Sequence, residues 1–127
     1  MIINGPINNK EALHIIADRY NWDNGFDVPN AISDRKECDL GTALLLFYNA
    51  DGYRFLMDRT SVDESLDVEW KNFLYKLYNK IGEGMYNTKD IAYKPQISEV
   101  QIYKIKKVNP DILDVFLYGN EGENTEL

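Results

Sequence analysis

The chain of 127 residues has the length of one ordinary domain, and its 44% hydrophobic and 28% charged residues are the balance of a globular protein. Its net charge of -7 argues against a nucleic-acid binder and against a protein that docks on anionic lipid, because both need a basic surface. One cysteine and one histidine exclude a disulfide framework, a cysteine-rich zinc site and any site that needs two histidines.

The N-terminal residues lack the basic start and the apolar core of a secretory signal. The longest apolar run, Ala43 to Tyr48, is far shorter than the roughly 20 residues that span a bilayer. A free thiol suits a reducing compartment, so the sequence predicts a cytoplasmic protein that begins at Met1.

Helix caps and apolar stripes divide the first half of the chain. Asn8 and Asn9 can cap a helix that starts near Lys10, and Asn21 to Gly25 then form a turn. A short second helix starts at Asp27-Val28-Pro29, since proline is tolerated in the first helical turn. Asp39 caps a third helix, from about Leu40 to Ala50, which is apolar nearly all round and is therefore predicted to be central.

The second half repeats these signals with less regularity. Tyr53 to Met57 predicts a turn or two of helix, and the longest helix begins at Ser61 or Asp63 and ends at Gly82, with Leu66 to Ile81 on its apolar stripe. Ser98 to Val108 permits a helix or an extended segment, and Asn109 and Pro110 start a last helix that Gly119 ends. We predict an all-α, compact single domain of five or six helices over residues 1–119, with one short extended segment allowed near 85–96 and a loose acidic tail at 120–127.

Few residues offer catalytic chemistry. His14 and Cys38 are the only imidazole and thiol, and the carboxylates beside Cys38 disfavour its thiolate. We interpret Asp23 as the centre of an Asx-turn, and Asp27 and Asp39 as helix N-caps, rather than as ligands of a hard cation. The chain also lacks a phosphate-binding glycine loop. We therefore predict no catalytic residue, no metal and no cofactor.

Two neighbouring stretches, Tyr-Asn-Trp-Asp-Asn-Gly-Phe-Asp-Val-Pro at 20–29 and Cys-Asp-Leu-Gly-Thr-Ala-Leu at 38–44, resemble domain-of-unknown-function family 4274 of small bacterial proteins. The resemblance covers about Leu13 to Leu56, and Asn24 stands where the family usually has an acidic residue. It implies a mainly helical bacterial protein, and small acidic proteins of this sort are often immunity proteins encoded near toxins.

The recurring family residues have a structural rationale in this chain. Asn21 and Gly25 belong to a capped turn, and Pro29 starts the second helix. Gly41 allows close packing in the first turn of the third helix, and Thr42 can hydrogen-bond back to a carbonyl. A fold signature explains these residues as well as a binding site would.

Three functions follow as hypotheses. The first is a non-catalytic protein-binding module, most concretely an immunity-type protein that neutralises a bacterial toxin domain. The second is a hydrolase built on carboxylates such as Asp23 and Asp39, with or without a divalent cation, and the third is a helical adaptor or oligomeric regulatory subunit. For the first, the predicted partner-binding residues lie in the first half of the chain, whose net charge is -3 from 6 basic and 9 acidic groups in residues 1–60. They are Trp22, Asp23, Asp27 and Asp34.

Overall fold

A computed structural model of the chain describes residues 9–122, which form an all-α fold. The predicted fold class is confirmed, although this part of the chain holds eight α-helices instead of five or six. One 3-10 turn, Trp22–Asn24, lies between the first two helices. The helices are α1 (Lys10–Asp18), α2 (Asp27–Asp34), α3 (Leu40–Asn49), α4 (Gly52–Met57), α5 (Arg59–Asp63), α6 (Val68–Gly82), α7 (Glu99–Val108) and α8 (Asp114–Tyr118).

Helix α3 is the centre of the fold, as its nearly continuous apolar sequence predicts. Every residue from Leu40 to Phe47 is buried, and α1, α2, α4 and α6 pack around it. Helix α6 contributes a stripe of buried side chains at helical spacing to the core: Phe73, Leu74, Leu77 and Ile81. Within the described residues, no helix is both long and apolar enough to cross a bilayer.

Two predicted helix starts are confirmed by their capping bonds, and a third cap decides a segment that the sequence left open. Asn9 caps α1, since its side-chain oxygen accepts the backbone N–H groups of Glu11 and Ala12. Asp39 caps α3 through the N–H of Gly41. Ser98 and Gln101 form a reciprocal capping box, which settles residues 99–108 as helix rather than extended chain.

The predicted start of the longest helix at Ser61 or Asp63 is wrong. The chain makes a separate short helix, α5, capped by Asp58, and breaks over residues 64–67 before α6 begins. The break occurs because Asp67 is itself an N-cap, whose carboxylate accepts the N–H of Trp70 at 3.1 Å. Leu66, which the stripe placed on the inner face, is 97% exposed.

The predicted start of the last helix at Asn109 and Pro110 is also wrong. Asn109 terminates α7, because its N–H donates to the carbonyl of Ile105, and α8 begins only at Asp114. The predicted stop at Gly119 is confirmed. Gly119 has φ +78°, and a Cβ there would lie 2.0 Å from the carbonyl oxygen of Tyr93, so only glycine fits.

Residues 85–96 are not helical, in agreement with the prediction of a loop or short extended segment. Tyr93 and Asn120 form an isolated antiparallel bridge, with both N–H to carbonyl distances at 2.8 Å. The Asn120 side chain also donates to the carbonyls of Lys89 and Ile91. The predicted loose tail therefore starts with a residue that is tied to the domain, and its end, residues 123–127, lies outside the described residues together with Asn8.

Candidate interaction surface and the motif that supports it

The sequence Asn-Trp-Asp-Asn-Gly folds into the capped turn that we predicted for it. The Asn21 side chain accepts the N–H of Asp23 at 3.0 Å, so the Asx role belongs to Asn21 and the predicted Asx-turn at Asp23 is wrong. Gly25 closes the turn with φ +89° and donates its N–H to the carbonyl of Trp22. Asp23 is left with an exposed side chain.

Trp22 anchors this turn to the core instead of presenting its ring to solvent. The half-buried indole meets the rings of Tyr20, Phe26 and Phe73 edge-on, at centroid distances of 5.5, 5.8 and 5.9 Å. Its buried Nε1 finds no hydrogen-bond partner within residues 9–122. The hydroxyl of Tyr20 donates to the carbonyl of Gly25 at 2.7 Å and closes the cluster from the other side. The turn is therefore held rigidly.

Helix α2 follows this turn and presents Asp27 and Asp34, seven residues apart, on its outer face. Pro29, in the first turn of the helix, is buried. The prediction that Asp27 caps α2 is wrong, because Phe26 occupies the N-cap position without a side-chain bond and Asp27 is the first helical residue. Among the residues that the structure describes, neither Asp23 nor Asp27 has an ion-pair partner.

Asp34 differs from the other two predicted aspartates because α6 neutralises it. Its Oδ1 lies 3.2 Å from Lys76 Nζ and 3.6 Å from Lys80 Nζ. Lys76 also donates to the side-chain oxygen of Asn30. Burial lowers the pKa of Lys76, and the nearby Asp34 carboxylate partly opposes that shift. Of the three predicted aspartates, Asp23 and Asp27 are therefore the two without an ion-pair partner in the described residues.

The sequence Cys-Asp-Leu-Gly-Thr at 38–42 has a structural role that the sequence revealed only in part. Asp39 is fully buried, and besides capping α3 it accepts three bonds from the segment 88–91. The donors are the hydroxyl of Thr88 at 2.6 Å, the N–H of Asp90 at 2.8 Å and the N–H of Ile91 at 3.0 Å. Four hydrogen bonds occupy its two oxygens, so Asp39 is the clamp that fixes this segment on α3.

The neighbours of Asp39 complete the same contact. A Cβ on Gly41 would lie 2.1 Å from the carbonyl oxygen of Ile91, so the predicted close packing is confirmed, and its partner is segment 88–91. The hydroxyl of Thr42 lies 2.8 Å from Nδ1 of His14 on α1, in place of the predicted bond to a backbone carbonyl. Lys10 Nζ, on the same helix, reaches Asp90 Oδ2 at 2.7 Å.

The Cys38 thiol and the His14 imidazole are both packed into the fold, and burial shifts the pKa of each. Burial raises the pKa of the Cys38 thiol to about 12, which leaves almost no thiolate at neutral pH. Burial lowers the pKa of the half-buried His14, although Asp18 and Asp39 act in the opposite direction. Over residues 9–122 no group of three His, Cys, Asp or Glu side chains could hold a metal ion.

Sequence reasoning missed a second exposed surface, at α7 and α8. Nine large hydrophobic side chains are exposed within residues 9–122, and five of them lie between residues 100 and 118. The five are Val100, Tyr103, Val108, Leu113 and Tyr118. The signal in the sequence was the spacing of Val100, Tyr103 and Lys107 along one helical face, which remained ambiguous while an extended conformation was allowed.

Comparison with known proteins gives one match. Residues 8–82 match the model of a family described as a domain of unknown function (DUF4274). The match contains both motifs and more than half of the chain, so the resemblance stated from the sequence is confirmed. No curated protein and no solved structure matches the chain.

Proposed function

The chain belongs to the DUF4274 family, and from that premise we propose that it is a non-catalytic protein-binding module, most concretely an immunity-type protein that neutralises a bacterial toxin domain in the cytoplasm. One observation carries the proposal. Asp23 stands on the turn that the Trp22 cluster fixes, and Asp27 is the first residue of the helix that follows. Both carboxylates are exposed and lack ion-pair partners within residues 9–122.

A rigid pair of exposed carboxylates suits recognition of a basic partner. Uncompensated charge steers an oppositely charged protein during diffusional encounter and raises the association rate. A turn that is already fixed before binding loses little conformational entropy when the complex forms. A nuclease-type toxin has a basic cleft because it must hold phosphate, and such a cleft fits this surface.

Asp34 belongs to the predicted surface but has a smaller role in the proposal. Its carboxylate already lies within ion-pair distance of Lys76 and Lys80, so a partner meets little net negative charge there. Trp22 supports the surface from below, through its ring contacts, rather than by direct contact with the partner. The proposed contact surface is therefore centred on Asp23 and Asp27.

The structure offers less to the hydrolase hypothesis. Asp39, one of its two carboxylates, is fully buried and accepts four hydrogen bonds, and none of them comes from Asp23. A general acid or base must reach substrate, and the clamp on segment 88–91 keeps Asp39 away from solvent. The binding hypothesis needs no such access. The proposed binding function involves no nucleic acid, no membrane and no cofactor.

Co-purification with the polypeptide encoded by the adjacent gene tests the proposal. We expect the tagged chain to retain the C-terminal toxin domain of that polypeptide, and its co-expression to restore growth of cells that make the domain. A matched pair of double variants locates the surface: Asp23→Lys with Asp27→Lys weakens retention, whereas Asp111→Lys with Asp114→Lys changes the net charge equally and leaves retention intact. Absence of any complex with the wild-type chain rejects the proposal.

A further inference from the structure

The outer face of α7 combines apolar, aromatic and basic side chains. Val100, Tyr103 and Lys107 follow one another at helical spacing, with Lys104 beside them, and all four are exposed. The inner face is carried by Ile105, which is fully buried. Within the described part of the chain, Lys104, Lys106 and Lys107 form no ion pair. Lys104 and Lys107 lie on this outer face, whereas Lys106 lies with Glu99 on the side of α7 that faces α8.

A shallow groove of about 240 Å³ runs between α7 and α8 next to this outer face, and Tyr103 belongs to both. Ile102, Tyr103 and Tyr118 give it apolar and aromatic walls, and Glu99 and Lys106 complete its lining. Lys106 Nζ lies 3.2 Å from the hydroxyl of Tyr118, so the ammonium group stands at the edge of the groove. The groove fits one apolar side chain that arrives with carboxylates beside it.

The chain carries a segment of that chemistry in the break between α5 and α6. Leu66 is 97% exposed, and Val68 is exposed two residues later. Asp63, Glu64, Asp67 and Glu69 surround them. The conformation is fixed by hydrogen bonds, since Asp67 caps α6 and its own N–H donates to the hydroxyl of Ser65 at 3.0 Å. An isolated apolar side chain is thus held out from the surface within an acidic setting.

We infer that the chain associates head to tail with a second copy of itself. Leu66 of one copy occupies the groove formed by Ile102, Tyr103 and Tyr118 of the next. The carboxylates of Glu64, Asp67 and Glu69 face Lys106 and Lys107. The two ammonium groups lie 5.7 Å from the ring centroids of Tyr118 and Tyr103, and both rings line the groove. The two surfaces are different patches of one chain, so an open assembly keeps one free loop at one end and one free groove at the other. The association therefore extends to rings or short chains. The inference uses neither Asp23 nor Asp27 and stands independently of the proposed function.

A second copy fits this face better than a nucleic acid does. The exposed Val100 lies on the same stripe as the lysines and requires an apolar partner, and the net charge of -7 repels a polyanion. The same net charge opposes self-association at long range, and one inserted side chain buries little surface. The complex is therefore weak and salt-sensitive, with Kd on the order of 0.1 mM.

Sedimentation velocity of the full chain, from about 10 μM to about 1 mM protein, tests the inference. We expect the weight-average mass to rise with concentration at low salt and to return to that of one chain at about 0.5 M salt. Leu66→Asp disables the loop, and Lys106→Glu with Lys107→Glu disables the face that receives it. Each variant alone remains a monomer, with an association constant reduced at least about tenfold. Ile15→Asp, which changes an exposed apolar side chain on α1, is the matched control and leaves the association intact.

Mixing the two disabled variants gives the sharpest readout. One variant retains an intact face and the other an intact loop, so an equimolar mixture forms a one-to-one dimer and nothing larger. A wild-type chain that stays monomeric at every concentration overturns the inference, as does a mixture of the variants that forms no dimer. Binding of single-stranded oligothymidine that Lys106→Glu with Lys107→Glu abolishes, in a monomeric wild-type chain, would assign the face to nucleic acid and also overturn the inference.

Discussion

Asp39 and Thr88 are 49 residues apart in the chain, yet the Thr88 hydroxyl donates to the Asp39 carboxylate at 2.6 Å. Asp39 lies inside the region that matches the family model, residues 8–82, and Thr88 lies outside it. The carboxylate therefore ties the family region to the part of the chain that follows. This contact gives the Cys-Asp-Leu-Gly-Thr motif a structural reason at its acidic position, independent of any partner.

Replacing Asp39 by alanine is expected to be strongly destabilising. The change leaves the Thr88 hydroxyl and the N–H groups of Asp90 and Ile91 without their acceptor, at a cost of about 3–4 kcal/mol in the free energy of unfolding. Asp67→Ala is the matched control, since Asp67 is also a helix N-cap but is exposed and accepts one bond, so we expect a loss of about 1 kcal/mol. Urea denaturation measures both. Equal losses would show that Asp39 acts as a cap alone.

Two helical glycines provide a second test of the same contact. A Cβ at Gly41 would lie 2.1 Å from a backbone oxygen of Ile91, which cannot move without breaking the clamp, so Gly41→Ala is expected to cost about 3 kcal/mol. A Cβ at Gly82 would come no closer than 3.8 Å to Leu113, and Gly82→Ala is expected to be neutral or to stabilise by up to about 1 kcal/mol. Thermal or urea unfolding of the two variants measures both effects on stability. A tolerated Gly41→Ala contradicts the described packing.

The pH dependence of stability isolates His14, the only histidine of the chain. Its pKa is lowered in the folded state from 6.5, chiefly by burial, so the unfolded chain binds the proton more readily. Stability is therefore fully present above the unfolded pKa and decreases as the pH falls from about 7.5 to about 5.5. The variant His14→Gln, which keeps a polar side chain near Thr42, is expected to lose less stability over this range. Urea midpoints at the two pH values test it, and identical losses in both proteins would contradict the assignment.

Cys38 is expected to be inert toward thiol reagents in the folded protein. Burial raises the pKa of its thiol to about 12, and the side chain is almost completely covered. Reaction with a disulfide reagent at about pH 8 should be at least about 100-fold slower than for the unfolded chain in urea, because native reaction requires opening of the fold. Rapid stoichiometric labelling of the native protein would contradict the burial of Cys38.

Local signals predicted much of the fold. Asn9 and Asp39 cap helices where the sequence predicted their starts, because a cap depends on residues only two or three positions away. Ser98 caps a helix where the sequence allowed either a helix or an extended segment. Prediction from local sequence was wrong where more than one residue could act as the helix N-cap. Several acidic or hydroxyl residues precede α6, and Asp67 is the one that caps it; Asn109 resembles an N-cap and instead terminates α7.

The candidate site also has features that local spacing predicts and features that depend on distant residues. That Asp27 and Asp34 share a face follows from their spacing of seven residues within one helix. That Asp34 is neutralised depends on Lys76 and Lys80 of α6, more than 40 residues away, and no local pattern predicts such a contact. The clamp between Asp39 and segment 88–91 could not be predicted from local patterns for the same reason.

The association rate constant with the proposed partner, a toxin domain sought in the adjacent gene, tests the central proposal most directly. We expect the rate for the wild-type chain to fall about tenfold between low salt and about 0.5 M salt. Asp23→Lys with Asp27→Lys should associate at least about tenfold more slowly at low salt and lose most of the salt dependence, whereas Asp111→Lys with Asp114→Lys should retain both. A wild-type rate that does not change with ionic strength, or equal slowing in the two double variants, would contradict binding through the Asp23 and Asp27 surface.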